Sequence, residues 1–218
     1  MQKAILVVLA IDIAGTAALA QSPRAATYIT DEEVKAVNAT PGIDRTIRVV
    51  DIGNENFAVG VIHRAATGAG RGAAAPAGGG AQAAGGARGA APVGEPCGEQ
   101  ASTPPAGATP GGIAHDSQTE GYMIISGAGT LITGGRIVNG RKSAPDAAVT
   151  KELNGPSCSG VIAGSDVVKR IVKAGDIVII PAGVPHGWTD IGDHVDYLSF
   201  RPSDRVLQAG YVHPAIRK

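Results

Sequence analysis

Apolar and polar residues alternate in short runs from Thr46 onward, and glycine or proline closes almost every run. Period-two alternation places successive side chains on opposite faces of an extended chain, so these runs predict strands. In the first, Ile47, Val49 and Asp51 share one face, with Arg48 and Val50 on the other. Gly53-Asn54 then makes a turn, and in 57–64 Phe57, Val59, Val61 and His63 share a face. Further strands are expected at 121–126 and 130–133, joined through Gly127-Ala128-Gly129. Residues 134–173 read as a long connection with turn signals at Asn139-Gly140, Pro145-Asp146 and Asn154-Gly155-Pro156. Residues 176–180 and 195–200 complete the set. The one helical signal is a capping box, Thr30-Asp31-Glu32-Glu33, opening a short helix to about Val37 that Pro41-Gly42 ends. Many short strands with almost no helix predict an all-β sandwich or barrel, which closes on itself to protect its edges.

Composition changes this picture in two places. Between residues 65 and 94 only Thr67, Arg71, Gln82, Arg88 and Val93 interrupt Ala, Gly and Pro, and a Pro-rich bias continues to Gly112. Such a segment buries too little apolar surface to offset its ordering entropy, so 65–112 is expected to be a disordered surface insertion. It has neither the three-residue glycine period of collagen nor a GxxxxGK[ST] phosphate loop. At the N-terminus, Lys3, the apolar run 4–11 and Ala18-Leu19-Ala20 form an export signal over 1–20, cleaved before Gln21. A retained anchor is the alternative, but Asp12 leaves that run short of the roughly 20 residues a bilayer requires. The expected organisation is therefore 1–20 signal peptide, 21–64 N-terminal helix and first barrel strands, 65–112 insertion, and 113–218 the remaining barrel. The protein is expected to be secreted or periplasmic, with no membrane span after cleavage. In that setting Cys97 and Cys158, an even pair without CxxC spacing, are expected to form a disulfide. The 19 basic and 19 acidic residues balance, and aromatics are 3%, so nucleic acid is not an expected partner.

Candidate chemistry lies in two segments. His115 is followed by Glu120, Tyr122 and Ile124, the last three alternating onto one strand face. Farther along, Gly183 and Pro185 make a tight turn that aims His186 and then Trp188 in one direction. Two imidazoles and a carboxylate suit a divalent transition metal and leave positions open for water, oxygen or substrate. Spacing alone does not bring the three together, and isolated histidines are more often surface or core residues.

Together the segments resemble the paired motifs of the cupin superfamily. His115, Glu120 and Gly127 match the first motif, which ends in a histidine, three or four residues, glutamate, six residues and glycine. Gly175, Pro181, Gly183 and His186 match the second in full. The resemblance spans roughly residues 113 to 190 and implies a cupin-type double-stranded β-helix, or jelly roll. It also implies that His115, Glu120 and His186 ligate one metal ion, with iron, manganese, copper, zinc and nickel all open. The family's first motif usually carries another histidine two positions before His115, where this chain has Ile113. The connection from Ala128 to Ala174 is much longer than in the smallest cupins, and Asp190 stands where asparagine is frequent.

Three readings of the missing ligand are open. The site works as a facial triad, or His63 or Gln118 supplies the gap, or the barrel is a pocket that holds metal weakly. Tyr122 is the candidate catalytic side chain through its hydroxyl, the alternative being a packed barrel tyrosine. The expected function is metal-dependent oxidoreduction of a small molecule, of dioxygenase or oxidase type. A non-redox sugar isomerase or lyase, or a small-molecule-binding cupin without turnover, are the alternatives. Pairing of barrels as a homodimer is a further expectation from the resemblance.

Overall fold

The computed structural model describes residues 25–67, 94–203 and 205–217. The export signal expected at 1–20 and most of the low-complexity stretch, 68–93, lie outside the described residues. Helix α1, Asp31–Asn38, opens as expected: Thr30 Oγ1 accepts from Glu33 N–H and Glu33 Oε2 accepts from Thr30 N–H, both at 3.3 Å. Its Val37 is buried with Ile47, Val59 and Val61.

Eleven strands follow: β1 Asp44–Asp51, β2 Asn56–Ala65, β3 Pro96–Cys97, β4 Thr109–His115, β5 Glu120–Thr133, β6 Arg136–Lys142, β7 Ser157–Ala163, β8 Val168–Lys173, β9 Ile177–Ile180, β10 His186–Thr189 and β11 His194–Ser203. Every pairing between these strands is antiparallel. One sheet contains β1, β2, β11, the first half of β5 and β9; the other contains β10, β4, β7, β6, β3, β8 and the second half of β5. The fold is therefore the expected all-β double-stranded β-helix with a short N-terminal helix.

The strand β5 belongs to both sheets. Residues 127–129, read from sequence as a turn between two strands, instead bend one continuous strand from the first sheet into the second. Gly127 has φ +69°, and a Cβ there would lie 2.0 Å from the His194 carbonyl oxygen, so only glycine passes this point.

Two further expectations change. The connection 134–173 holds three strands and a π-helical turn, Thr150–Asn154. Asn139 takes φ +52° beside a register shift between Val138 and Arg141, so Asn139-Gly140 marks a β-bulge within β6 rather than a turn between elements. After the insertion, order resumes before residue 113, because 94–112 supplies β3 and most of β4 instead of extending a disordered insertion. Two causes are visible. Cys97 is bonded to Cys158 of β7, and Gly112 lets Ile162 pack where a Cβ would come within 2.2 Å of it.

The interior core contains Ile62, Tyr122, Ile124, Leu131, Val172, Ile180, Val195 and Tyr197. On the outer face of the first sheet α1 covers Ile47, Val59 and Val61, while Met123, Ile125, Ile177 and Ile179 are exposed. No helix among the described residues is long and apolar enough to cross a membrane. The disulfide fits an extracellular, oxidising environment.

Candidate metal centre

His115 ends β4, Glu120 begins β5 and His186 begins β10. Register brings them together, since β10 pairs with both neighbours, His186 opposite Ile113 and also opposite Thr133. The turn before His186 is pinned by Gly183 N–H donating to His115 O at 2.7 Å, which ties the second motif directly to the first. All three side chains are at most 3% exposed.

Glu120 Oε2 lies 3.2 Å from His115 Nε2 and 3.1 Å from His186 Nε2, and the three ligand atoms lie within 4.8 Å of one another. The opposite nitrogen of each ring fixes its tautomer. Ser157 Oγ donates to the carbonyls of Asn154 and Gly155, so it accepts from His115 Nδ1 at 2.9 Å. The Val184 carbonyl can only accept, so His186 Nδ1 donates to it at 3.0 Å. In neutral rings that leaves both Nε2 atoms as lone-pair acceptors facing a carboxylate oxygen. Burial, with Arg201 adding to it, pushes the His115 imidazole down and favours the neutral ring. Burial alone would raise the Glu120 carboxyl, but the Arg201 guanidinium overcomes it and holds the group ionised, well below the usual carboxylate range. Three acceptor atoms converge within reach of a single cation, and the donor set fits a divalent transition metal.

No family model matches the chain, and no curated protein matches it. Among solved structures it is similar to a Bacillus halodurans protein at 12% identity and TM-score 0.41, covering 88% of this chain and 92% of that one. A Klebsiella pneumoniae protein with a double-stranded β-helix domain gives 17% identity and TM-score 0.35, with 84% and 93% covered. An oxalate oxidase gives 14% identity and TM-score 0.32, covering 77% of this chain and 54% of that one. The deciding observation is internal: both motif segments line the inside of one double-stranded β-helix and meet at His115, Glu120 and His186. The fold is a double-stranded β-helix that brings the two motif segments to one centre.

Within the barrel a second ring of side chains holds Glu120 in place. Tyr122 Oη donates to Oε2 at 3.1 Å, while Ser199 Oγ donates to Oε1 at 2.8 Å and Arg201 Nη2 forms an ion pair with Oε1. Burial, and then the Glu120 charge, raise the Tyr122 phenol well above its ordinary value, so the hydroxyl stays protonated. Arg201 is 3% exposed and also donates to Asn154 Oδ1 at 2.7 Å and to the Leu153 carbonyl at 3.2 Å, both in the π-helical turn. Tyr122, Trp188 and Tyr197 pack ring against ring, with centroids 4.2 to 6.3 Å apart, and Tyr122 also stands edge-on to His186 at 6.2 Å.

The two sequence candidates for an additional ligand behave differently from the triad. His63 points outward, where its Nδ1 lies 2.6 Å from Asp196 Oδ1, and its side chain is 43% exposed. It does not join the centre. Gln118 is 1% exposed, and its amide atoms have no hydrogen-bond partner among the described residues; its Oε1 lies against Gly155. Ile113 is half-buried beside His186 and offers only hydrocarbon.

Ser157, Ser199 and Arg201 are the site residues that sequence reading missed. A signal existed for two of them. Along β11 the buried positions are Val195, Tyr197, Ser199, Arg201 and Ser203, a strict alternation. Pro202 hid it by suggesting that the strand had ended. The β5 pairing stops at Phe200, so on that side Pro202 has no partner strand to which an N–H would be owed.

Proposed function

We propose that this chain is an exported, metal-dependent cupin enzyme of oxidoreductase type, acting on a small molecule with one divalent transition metal. His115 Nε2, Glu120 Oε2 and His186 Nε2 would hold the ion. The observation that carries the reading is the convergence of these three acceptors in a site at most 3% exposed, with both imidazole protons directed away from it. Two imidazoles and one carboxylate form the donor set of facial-triad sites, which leave coordination positions open. When bound, such an ion supplies Lewis acidity and, for a redox-active metal, electron transfer.

The chain's own residues shape what happens beside it. Tyr122, Ser199 and Arg201 fix both carboxylate oxygens of Glu120, so its ligating edge is presented without side-chain motion. Ile113 places hydrocarbon where the family more often has an imidazole, which favours an open position over a fourth protein ligand. The packed rings of Tyr122, Trp188 and Tyr197 set an aromatic cluster beside His186.

Elemental analysis of the purified protein tests the reading, beside His186→Ala and Glu120→Ala. The expected result is about one metal equivalent in the wild type and loss of it in both variants, followed by substrate-dependent oxygen consumption. A wild-type protein that takes up none of iron, manganese, copper, zinc or nickel would overturn it.

A further inference from the structure

The strands β8 and β9 each pair with β5 alone, β8 in the second sheet and β9 in the first, so among the described residues each leaves one edge unpaired. The turn at 174–176 joins them, and a groove of about 350 Å³ lies between the two edges. Buried Leu131 and Val172 and half-buried Val178 line its inner part, and Val168, Ile177 and Ile179 line its rim beside Arg170. Ile171, Ile177 and Ile179 are 74, 71 and 73% exposed, and Val168 is 56% exposed. An aliphatic patch of this kind left in water marks a surface that meets something else. Lys169, Arg170 and Lys173 stand exposed among these side chains, and none of the three is in an ion pair with a described residue. In a chain whose 19 basic and 19 acidic residues balance, that grouping is local. Asp166 and Asp176 flank it, and the Asp176 carboxylate accepts from the Lys173 backbone N–H.

We propose that the rim formed by β8 and β9 docks on an anionic lipid bilayer, its aliphatic side chains entering the interface and its three cations set against the headgroups. Exposed aliphatic side chains interleaved with Lys and Arg are what binding in the plane of an interface requires, because apolar burial and attraction to anionic lipid add together. The charges decide between this occupant and a second copy of the chain. Two-fold pairing through β8 sets its cations against like charges, and lysine on an edge strand works against strand addition. Against anionic headgroups the same cations attract. The long stems of Lys169 and Lys173 lie along apolar surface while their ammonium groups reach the headgroup layer. A soluble polyanion offers the cations a partner but gives the four exposed aliphatic side chains no apolar phase to enter. No helix among the described residues is long and apolar enough to cross a membrane, so attachment through this rim is peripheral. The inference is independent of the metal centre.

Sedimentation of the full chain with lipid vesicles provides the test, using phosphatidylcholine alone and equal parts phosphatidylcholine and phosphatidylglycerol. The expected result is partition onto the anionic vesicles at least tenfold stronger than onto the zwitterionic ones, weakening as salt rises. Lys169→Gln with Arg170→Gln and Lys173→Gln should lower partition onto the anionic vesicles about 100-fold, at about fivefold for each charge. Ile177→Thr with Ile179→Thr should lower it about tenfold, and both variants should keep the circular dichroism of the wild type. Equal partition of the wild type onto both vesicles, or none onto either, overturns the inference even if a variant does not fold. Undiminished binding by either folded variant also overturns it, and is what an uncleaved apolar run at 4–11 would give. A wild-type dimer in size-exclusion chromatography that Ile177→Thr with Ile179→Thr dissociates assigns the face to a second copy and overturns the inference.

Discussion

Ser157 Oγ lies 2.9 Å from His115 Nδ1 and donates its own proton to the backbone of Asn154 and Gly155, so it acts on the histidine only as an acceptor. A residue outside the ligand set thereby decides which nitrogen of His115 faces the centre. Ser157→Ala is expected to weaken metal binding by about 10- to 100-fold, the usual scale for such supporting partners. It should also cost about 1–3 kcal/mol of stability, because a buried ring N–H loses its acceptor. Competition titration with a chelator measures the first, and urea unfolding the second.

Glu120→Gln leaves the Arg201 guanidinium buried without its counter-ion. Breaking a buried pair from one side costs about 3–5 kcal/mol, and that loss is expected in the urea midpoint of the metal-free protein. Adding Arg201→Gln to Glu120→Gln should recover part of it, since no lone charge then remains. A double variant less stable than Glu120→Gln by the full single-site cost of Arg201→Gln would contradict the pairing.

Acid should destabilise the metal-free fold in two stages. His115 has its folded pKa lowered from 6.5 by burial, then by Arg201. In the unfolded chain it gains a proton that the folded chain resists, so stability is complete above pH 6.5 and falls below it. Glu120 is also held low, with the opposing effect of burial outweighed by Arg201. Its contribution is present above 4.5 and is lost as pH falls further. Melting temperature against pH should therefore begin to decline below about 6.5 and steepen below about 4.5. His115→Asn is expected to reduce the first stage, leaving the part due to His213, whose pKa burial also lowers, and to leave the second.

The Cys97–Cys158 bond closes a sequence separation of 61 residues. A loop of that length corresponds to about 4 kcal/mol in the chain-entropy model, and measured effects are about 2–4 kcal/mol. Cys97→Ser with Cys158→Ser should lower stability by that amount, read from thermal unfolding with and without reductant. Reductant should then have no effect on the double variant.

Both motifs were legible because backbone demands fix their punctuation. Gly183 (φ +79°) and Gly175 (φ +93°) need glycine, and alternation from Glu120 to Ile124 gives the inward face. Arg201 was not legible, because its role is created by groups remote in sequence: Glu120, Ser199 and the turn at 153–154. The strands within 134–173 were obscured where glycine and asparagine serve a bulge in the middle of a ladder. Sequence reading assigns such residues to chain reversals by default. The boundary at 112 moved for a related reason. Gly111 and Gly112 continue the composition of the low-complexity stretch, yet Gly112 is there to admit Ile162.

Cys158 is the immediate neighbour of Ser157, the residue that orients His115. The covalent tether between β3 and β7 thus ends a single peptide unit from the support of a ligand. With the two cysteines oxidised, the same bond that ties the outer wall also anchors the strand from which the imidazole at 115 is steered.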